Sequence, residues 1–150
     1  MNAVAEIGAG LSGLEQLQAL KARDSHPPGI GQTLDFRLVE IEPGRAVFEG
    51  TPGLHAYNPI GTIHGGYAAT LLDSACGCAV HASLGPGQSY TTLELKVAYH
   101  KAMTKETGPV RAIGTVVTLG RRAAFAEAKL VDAQGTLYAS ATSTLLVMTR

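Results

Sequence analysis

The sequence predicts an α+β fold in which an antiparallel sheet packs against one long helix. Two observations carry this prediction. Residues 65–84 form a nearly continuous apolar run, long enough for a buried helix. Segments before and after this run alternate apolar with polar residues between turn signals, as antiparallel strands do. The predicted order of two strands, the long helix and then four strands corresponds to a layer of helix on sheet.

Length and charge limit the class of protein. The chain has 150 residues, of which 45% are apolar, and this is enough for one domain with a sizeable core. Its twelve basic and twelve acidic residues cancel, so a nucleic-acid partner bound through bulk charge is not expected. No stretch has the roughly 18 uninterrupted apolar residues of a membrane helix, and no basic signal-peptide start is visible. We therefore expect a cytoplasmic protein without a membrane partner.

The chain is expected to divide into an N-terminal helical segment, residues 1–27, and a main domain, residues 28–150. Leucine recurs at every third position from 11 to 20 with polar residues between, which predicts a short amphipathic helix. A Pro-Pro-Gly sequence at 27–29 ends this segment.

The glycines of Gly8–Gly13 match the spacing of a dinucleotide-binding loop. That motif needs a buried apolar strand before it, and Glu6 interrupts the only candidate, Ala3–Ile7. No further βαβ unit appears later in the chain. A flexible N-terminal stretch is the preferred interpretation.

Six strands are expected in the main domain. The first two, residues 34–42 and 45–51, form a hairpin around Pro43-Gly44, and residues 52–63 form a loop rich in Pro, Gly and Asn. After the helix the predicted strands cover 92–99, 110–119, 123–132 and 137–148. The Ala and Glu content of 123–132 favours a helix, but the turn that follows at 132–135 favours a hairpin with the last strand.

Residues 58–73 carry the strongest functional signal, because a histidine and two glycines, His64-Gly65-Gly66, open the long helix. Glycine lets the backbone approach a ligand closely. A helix start presents free N–H groups and a positive dipole end, which can hold an oxyanion. Asp73, a carboxylate among apolar residues, is a candidate base or nucleophile. The alternative is a helix with a glycine-rich start and one ordinary polar residue.

The polar residues of the helix fall on one stripe that is expected to face a cleft, water or another subunit; they are Thr70, Asp73, Ser74 and His81. His64 and Asp73 are half a turn out of phase and about 13 Å apart along the axis of a continuous helix. Both cannot reach one small reacting group within a single chain. Either they are unrelated, or a second chain completes the site in a two-fold dimer.

The block Asn58-x5-His64-Gly-Gly-x6-Asp73 resembles the hotdog-fold acyl-CoA thioesterases of the phenylacetate-degradation (PaaI-like) group. The resemblance spans about residues 28–148 and includes Thr92–Tyr99 and Gly120-Arg121-Arg122. It implies a hotdog fold, in which an antiparallel sheet wraps around a long central helix, and homo-oligomers, dimers or tetramers, with the site at the dimer interface. The implied activity is hydrolysis of an aryl- or medium-chain acyl-CoA to free acid and coenzyme A, without a cofactor or a metal.

The resemblance also implies roles for individual residues. Asp73 corresponds to the catalytic carboxylate, as nucleophile or as general base. Asn58 corresponds to the residue that positions water or thioester, while His64 and the N–H of Gly65 lie at the thioester carbonyl. Thr92 belongs with Asp73 on the opposite subunit. Three further residues are expected to bind substrate: Gly66, and Arg121 and Arg122, which can grip the phosphates of coenzyme A.

Several alternatives stay open. Glu94, on the predicted strand face of Thr92, is a competing base. Cys76 and Cys78 are expected to be small core residues, and the remaining histidines have no metal-ligand spacing. A hotdog hydratase or dehydratase would bind the same thioesters, and so would a non-catalytic acyl-CoA-binding protein. A serine hydrolase is disfavoured because no G-x-S-x-G sequence is present.

Overall fold

The computed structural model describes residues 2–149 and confirms the predicted α+β architecture. These residues form four α-helices, α1 Ala3–Ile7, α2 Gly13–Lys21, α3 Ile30–Leu34 and α4 Gly65–His81, and a short 3₁₀ helix at Leu54–Ala56. Six strands follow the predicted order: β1 Phe36–Glu42, β2 Arg45–Gly50, β3 Gln88–Tyr99, β4 Val110–Leu119, β5 Ala123–Asp132 and β6 Leu137–Thr149. The long helix therefore ends at His81, three residues before the predicted end.

The six strands form a single antiparallel sheet in the order β1-β2-β4-β5-β6-β3. The ambiguous segment 123–132 is a strand, as predicted, because both of its edges are paired, one with β4 and one with β6. Tertiary pairing thus overrides its helical propensity. The two outermost strands are β1 and β3, so each leaves one edge without a strand partner in the described chain.

Helix α4 lies on the inner face of the sheet, and its buried face packs into the hydrophobic core. Leu71, Leu72 and Ala75 are fully buried. The sheet residues beneath them are mostly small, which lets helix and sheet approach closely; they are Ala112, Ala124, Ala126, Ala128, Ala139 and Ala141. The closest approach is at Gly114, where a Cβ would overlap the backbone carbonyl of Ala75.

The amphipathic helix predicted for the N-terminal segment is present as α2, but the stretch before it differs from its prediction. Residues 3–7 are helical rather than flexible or extended, with Asn2 as N-cap. The glycine motif of Gly8–Gly13 therefore joins two helices, and the strand that a dinucleotide-binding loop requires is absent from this part of the described chain. Helix α3 was not predicted, because its short sequence, Ile-Gly-Gln-Thr-Leu, has no helical periodicity. The division at residues 27 and 28 stays a prediction.

Strand β3 contains a β-bulge that changes which side chains face α4. The register with β6 passes from Thr92 opposite Leu145 to Glu94 opposite Thr144, which leaves Leu93 without a partner position. A bulge inserts one residue and so reverses the alternation of faces beyond it. Thr92 faces the helix, whereas Glu94 lies on the opposite face and contacts Thr144. The prediction that Glu94 shares the face of Thr92 is wrong for this reason.

Within residues 2–149, no helix is both long and apolar enough to cross a membrane.

Candidate active site

His64 is the N-cap of α4, and its ring is held by the helix that it caps. Nδ1 accepts a hydrogen bond from the Gly66 N–H at 2.8 Å. In the neutral ring Nε2 then carries the hydrogen and is free to donate. The backbone N–H of His64 donates to the Ala56 carbonyl at 2.8 Å, and that of Ile63 to Met103 at 2.9 Å. The start of α4 is therefore anchored on both sides.

The Gly65 N–H is the free donor at this helix start. The Gly66 N–H is occupied by the His64 ring, and the Tyr67 N–H donates to the His64 carbonyl at 3.0 Å. Among residues 2–149, none accepts a hydrogen bond from the Gly65 N–H. A helix start leaves such donors available to an anionic or polarised oxygen.

Asn58 is occupied by its own loop. Its Oδ1 accepts hydrogen bonds from the N–H groups of Ile60 and Thr62, at 3.1 and 3.2 Å, and its Nδ2 donates to Thr62 Oγ1 at 2.9 Å. This is the turn geometry that an Asn before proline commonly adopts. Within one chain, Asn58 therefore shapes the loop that leads to α4.

Asp73 and Thr92 are hydrogen-bonded to each other, which agrees with their predicted association. Thr92 Oγ1 donates to Asp73 Oδ1 at 3.0 Å across the gap between α4 and β3, and both residues are partly buried. This contact occupies one carboxylate oxygen; Oδ2 forms no hydrogen bond within the described part of the chain. A partly buried carboxylate held by one hydroxyl donor can accept a proton from water.

Tyr90 lies near Asp73. The sequence alone gave no sign of this residue. Its ring packs on Gly77, where a Cβ would lie 2.5 Å from the hydroxyl oxygen. Burial, together with the neighbouring Cys78 and Asp73, raises the pKa of Tyr90, so it stays protonated. The pairing of Gly77 with an aromatic residue of β3 is a long-range contact that no local pattern encodes.

The predicted site residues form two separate groups in one chain. His64, Gly65 and Gly66 are at the start of α4, and Asp73 is further along the helix by about 13 Å. The polar stripe is also divided: Thr70 donates to the Gly66 carbonyl at 2.8 Å, and His81 is buried beneath α2. One chain does not bring both groups to a single reacting atom.

Arg121 and Arg122 lie in the exposed turn between β4 and β5. Their position relative to Asp73 follows from the sheet register, in which Thr92 and Ala124 both lie opposite Leu145 of β6. Ala124 is therefore at the level of Thr92, about 10 Å away across two strand spacings. The turn lies beyond Ala124, with the Arg122 carbonyl accepting from the N–H of Val147, which pairs with Tyr90. It lies toward the end of the sheet where β3 begins, whereas the start of α4 contacts Tyr99, where β3 ends.

The two thiols are unsuited to nucleophilic catalysis. Burial, with the charge of Asp73 nearby, raises the pKa of Cys76 and of Cys78 to about 12, and the thiolate is the reactive form.

Within residues 2–149, no three histidine, cysteine, aspartate or glutamate residues are placed to hold a metal ion. The expectation that the protein needs no cofactor stays a prediction.

Comparison with known proteins identifies the family. The sequence profile described as "Thioesterase superfamily" matches residues 60–139. The 1,4-dihydroxy-2-naphthoyl-CoA hydrolase of Listeria monocytogenes is 28% identical over 69% of this chain and 83% of its own. A thioesterase family protein from Silicibacter pomeroyi has a crystal structure with a TM-score of 0.79 and 25% identity over 93% of this chain and all of its own.

The PaaI protein of E. coli, from the phenylacetic acid degradation operon, shares the fold with a TM-score of 0.71 and 18% identity over 79% of this chain and 83% of its own. The chain belongs to the thioesterase superfamily. The predicted hotdog fold, the PaaI-like resemblance and the predicted enzyme class, a thioester hydrolase, are thereby confirmed.

Proposed function

We propose that this protein hydrolyses an acyl-CoA thioester to the free acid and coenzyme A, with Asp73 as the catalytic carboxylate. The observation that carries the proposal is the contact between Thr92 Oγ1 and Asp73 Oδ1, because it orients a carboxylate in a partly buried position and leaves its second oxygen for water. Of the aryl- and medium-chain substrates that the resemblance implies, an aryl-CoA is supported by the relative from Listeria, whose name gives a naphthoyl-CoA as its substrate.

In the proposed reaction Asp73 accepts a proton from water while the water oxygen attacks the thioester carbonyl carbon. The Gly65 N–H and the His64 Nε2–H donate to the carbonyl oxygen as negative charge develops on it. The tetrahedral species then expels the coenzyme A thiolate, which takes up the proton, and the free acid leaves. Direct attack by the Asp73 carboxylate is the other route; it would expel the coenzyme A thiolate and form a mixed anhydride between Asp73 and the acyl group. Water attack on the Asp73 carbonyl carbon of this anhydride would regenerate Asp73 and leave one original Asp73 oxygen in the product acid.

The proposed site combines two chains in a homo-oligomer. Strand β3 leaves a twelve-residue edge without a strand partner in the described chain, and such an edge is a template for pairing with another strand. Two β3 strands paired about a two-fold axis would run antiparallel, so the end of one would lie beside the start of the other. His64, Gly65 and Asn58 of one subunit would then approach Asp73 and Thr92 of its partner.

The same arrangement gives the substrate-binding residues their proposed positions. Arg121 and Arg122 of the Asp73-bearing subunit would lie beside the start of the partner's α4, where they can pair with phosphates of coenzyme A. A Cβ at residue 66 would lie 2.9 Å from the His64 Nδ1 and would crowd the ring. Glycine at this position therefore leaves the helix surface next to His64 open to substrate.

Release of free thiol from a panel of aryl- and aliphatic-CoA thioesters tests the proposal. Wild-type protein is expected to turn over at least one substrate, and Asp73→Ala to lose about 100-fold or more in kcat. Glu94→Gln is the matched control, because Glu94 lies on the opposite face of β3 and is expected to retain wild-type activity.

Equal turnover by wild type and Asp73→Ala would contradict the role of Asp73, and loss in Glu94→Gln would transfer that role to Glu94. Thioester binding without release of thiol would favour an acyl-CoA-binding protein or a hydratase. A single turnover in ¹⁸O-labelled water tests for the direct route, because an anhydride opened at the Asp73 carbonyl carbon would leave the first product acid unlabelled, whereas general-base attack by water labels it.

A further inference from the structure

Tyr99 contacts the helix start that presents the Gly65 N–H. It is the last residue of β3, and its hydroxyl donates to the Gly65 carbonyl at 2.7 Å. The ring also packs against the Gly65 Cα, since a Cβ at that position would lie 2.9 Å from the hydroxyl oxygen and 3.0 Å from Cζ. The Tyr99 ring therefore requires a glycine at position 65. The same glycine permits a ligand to approach the backbone.

The start of α4 needs such a contact because it opens with two glycines. Glycine has the greatest backbone freedom of any residue, and helix ends fray. The hydrogen bonds of His64 and Ile63 hold the chain before Gly65, and the His64 ring holds the Gly66 N–H. The Gly65 carbonyl is held from outside the helix by Tyr99.

The same tyrosine borders a cavity at the proposed thioester position. This cavity has a volume of about 270 Å³ and is lined by residues that include His64, Gly65, Tyr99 and Lys101. Tyr99 itself is 57% exposed. Within one chain, the exposed ring of Tyr99 contributes little to the core, so its main effect falls on the geometry of the helix start.

We infer that Tyr99 is a positioning residue for thioester hydrolysis: it holds the Gly65 Cα and the Gly65–Gly66 peptide, and through them it keeps the Gly65 N–H directed at the substrate carbonyl. This rests on the proposed function. Donors to a developing oxyanion must be held to about 0.5 Å, and complete loss of one such donor costs about 10²–10³ in kcat. Loss of the Tyr99 hydroxyl loosens the donor without removing it, so a smaller loss follows.

Tyr99→Phe tests the inference, with Tyr67→Phe as the matched control. Tyr67 lies in the same first turn of α4, and its buried hydroxyl has no hydrogen-bond partner among the described residues. In the thiol-release assay Tyr99→Phe is expected to lower kcat about 5–10-fold, with KM within about twofold of wild type. Tyr67→Phe is expected to leave both constants unchanged. Wild-type kcat in Tyr99→Phe would overturn the inference.

A spectroscopic measurement separates this inference from the proposed function. Benzoyl-CoA with a ¹³C-labelled carbonyl is bound to Asp73→Ala, and its carbonyl stretch is recorded by infrared difference spectroscopy. Adding Tyr99→Phe is expected to shift the stretch back toward its frequency in water, because the Gly65 donor is less well directed. An unchanged frequency would overturn the role of Tyr99, whether or not the wild type releases thiol. A shifted frequency without thiol release would instead overturn the proposed hydrolysis and leave Tyr99 as a residue that positions the donor to a bound thioester.

Discussion

His81, the last residue of α4, is buried against the N-terminal helices. Its Nε2 lies 2.9 Å from Gln16 Oε1, and Gln16 Nε2 donates to the Gly8 carbonyl at 2.9 Å. Because the Gln16 oxygen is an acceptor, the His81 Nε2 carries the hydrogen in the neutral ring. The opposite ring nitrogen, Nδ1, is buried without a partner among the described residues. Burial lowers the pKa of His81.

This environment predicts that acid destabilises the protein partly through His81. The folded state binds a proton less readily than the unfolded chain, whose histidine pKa is about 6.5. The stability contributed by neutral His81 is therefore present above that pH and is lost as the pH falls below it. Guanidinium unfolding at pH 8 and at pH 5.5 measures the free energy of unfolding at each pH. Between the two, this free energy should fall less in His81→Gln than in wild type.

His100→Gln is the control for this measurement, because His100 is exposed at the end of β3 and its Nε2 contacts only the Ser140 hydroxyl. It should lose as much stability as wild type between the two pH values. The same pH dependence in wild type and His81→Gln would show that His81 does not contribute to it.

At the scale of elements, the close packing of α4 on the sheet depends on small residues of the strands beneath it. The inner face of β4, β5 and β6 beneath the helix is mostly alanine, and Gly114 of β4 meets the backbone of Ala75 directly. Protein interiors are densely packed, so such a contact leaves no free space for even one added methyl group.

Gly114→Ala is therefore expected to lower the free energy of unfolding by about 3 kcal/mol, because α4 must move away from β4. Chemical denaturation measures the change. Gly10→Ala is the matched control: a Cβ at residue 10 meets no atom within 4 Å, so its stability should stay close to wild type. A Gly114→Ala variant as stable as Gly10→Ala would mean that helix and sheet are less tightly packed than the structure describes.

At the scale of the whole molecule, the separation of His64 from Asp73 along α4 predicts complementation between two inactive variants. In mixed dimers of Asp73→Ala and His64→Ala, one of the two sites would combine an intact Asp73 with an intact His64. Random reassembly of equal amounts would thus restore about a quarter of wild-type activity. The measurement is thiol release after denaturing and refolding the two variants together.

Refolding each variant alone provides the background, and refolded wild type sets the upper limit. If a single chain formed the complete site, every site in the mixture would carry one of the two substitutions. Mixing would then add nothing to the background, and the two-chain proposal would fail.

Much of the fold follows from the sequence because strands, turns and the long helix are specified by local patterns. The order of β1, β2, α4 and the last four strands depends on alternation, glycine and proline, and all of these are read within a few residues. Prediction was less accurate where propensity was weak: α1 and α3 are short and not periodic. The helix-favouring composition of β5 is outweighed by the turn that follows it, which predicts a hairpin with β6.

The candidate site was predictable only in part. The sequence by itself determined that a histidine and two glycines begin α4 and that one carboxylate lies in its interior, because these are properties of adjacent residues. Only the tertiary structure decided that Thr92, not Glu94, faces Asp73, since the bulge at Leu93 arises from pairing with β6. It also decided the contact of Tyr99 with Gly65, because that contact joins residues 34 positions apart, and no local pattern specifies which distant side chain a strand brings to a helix.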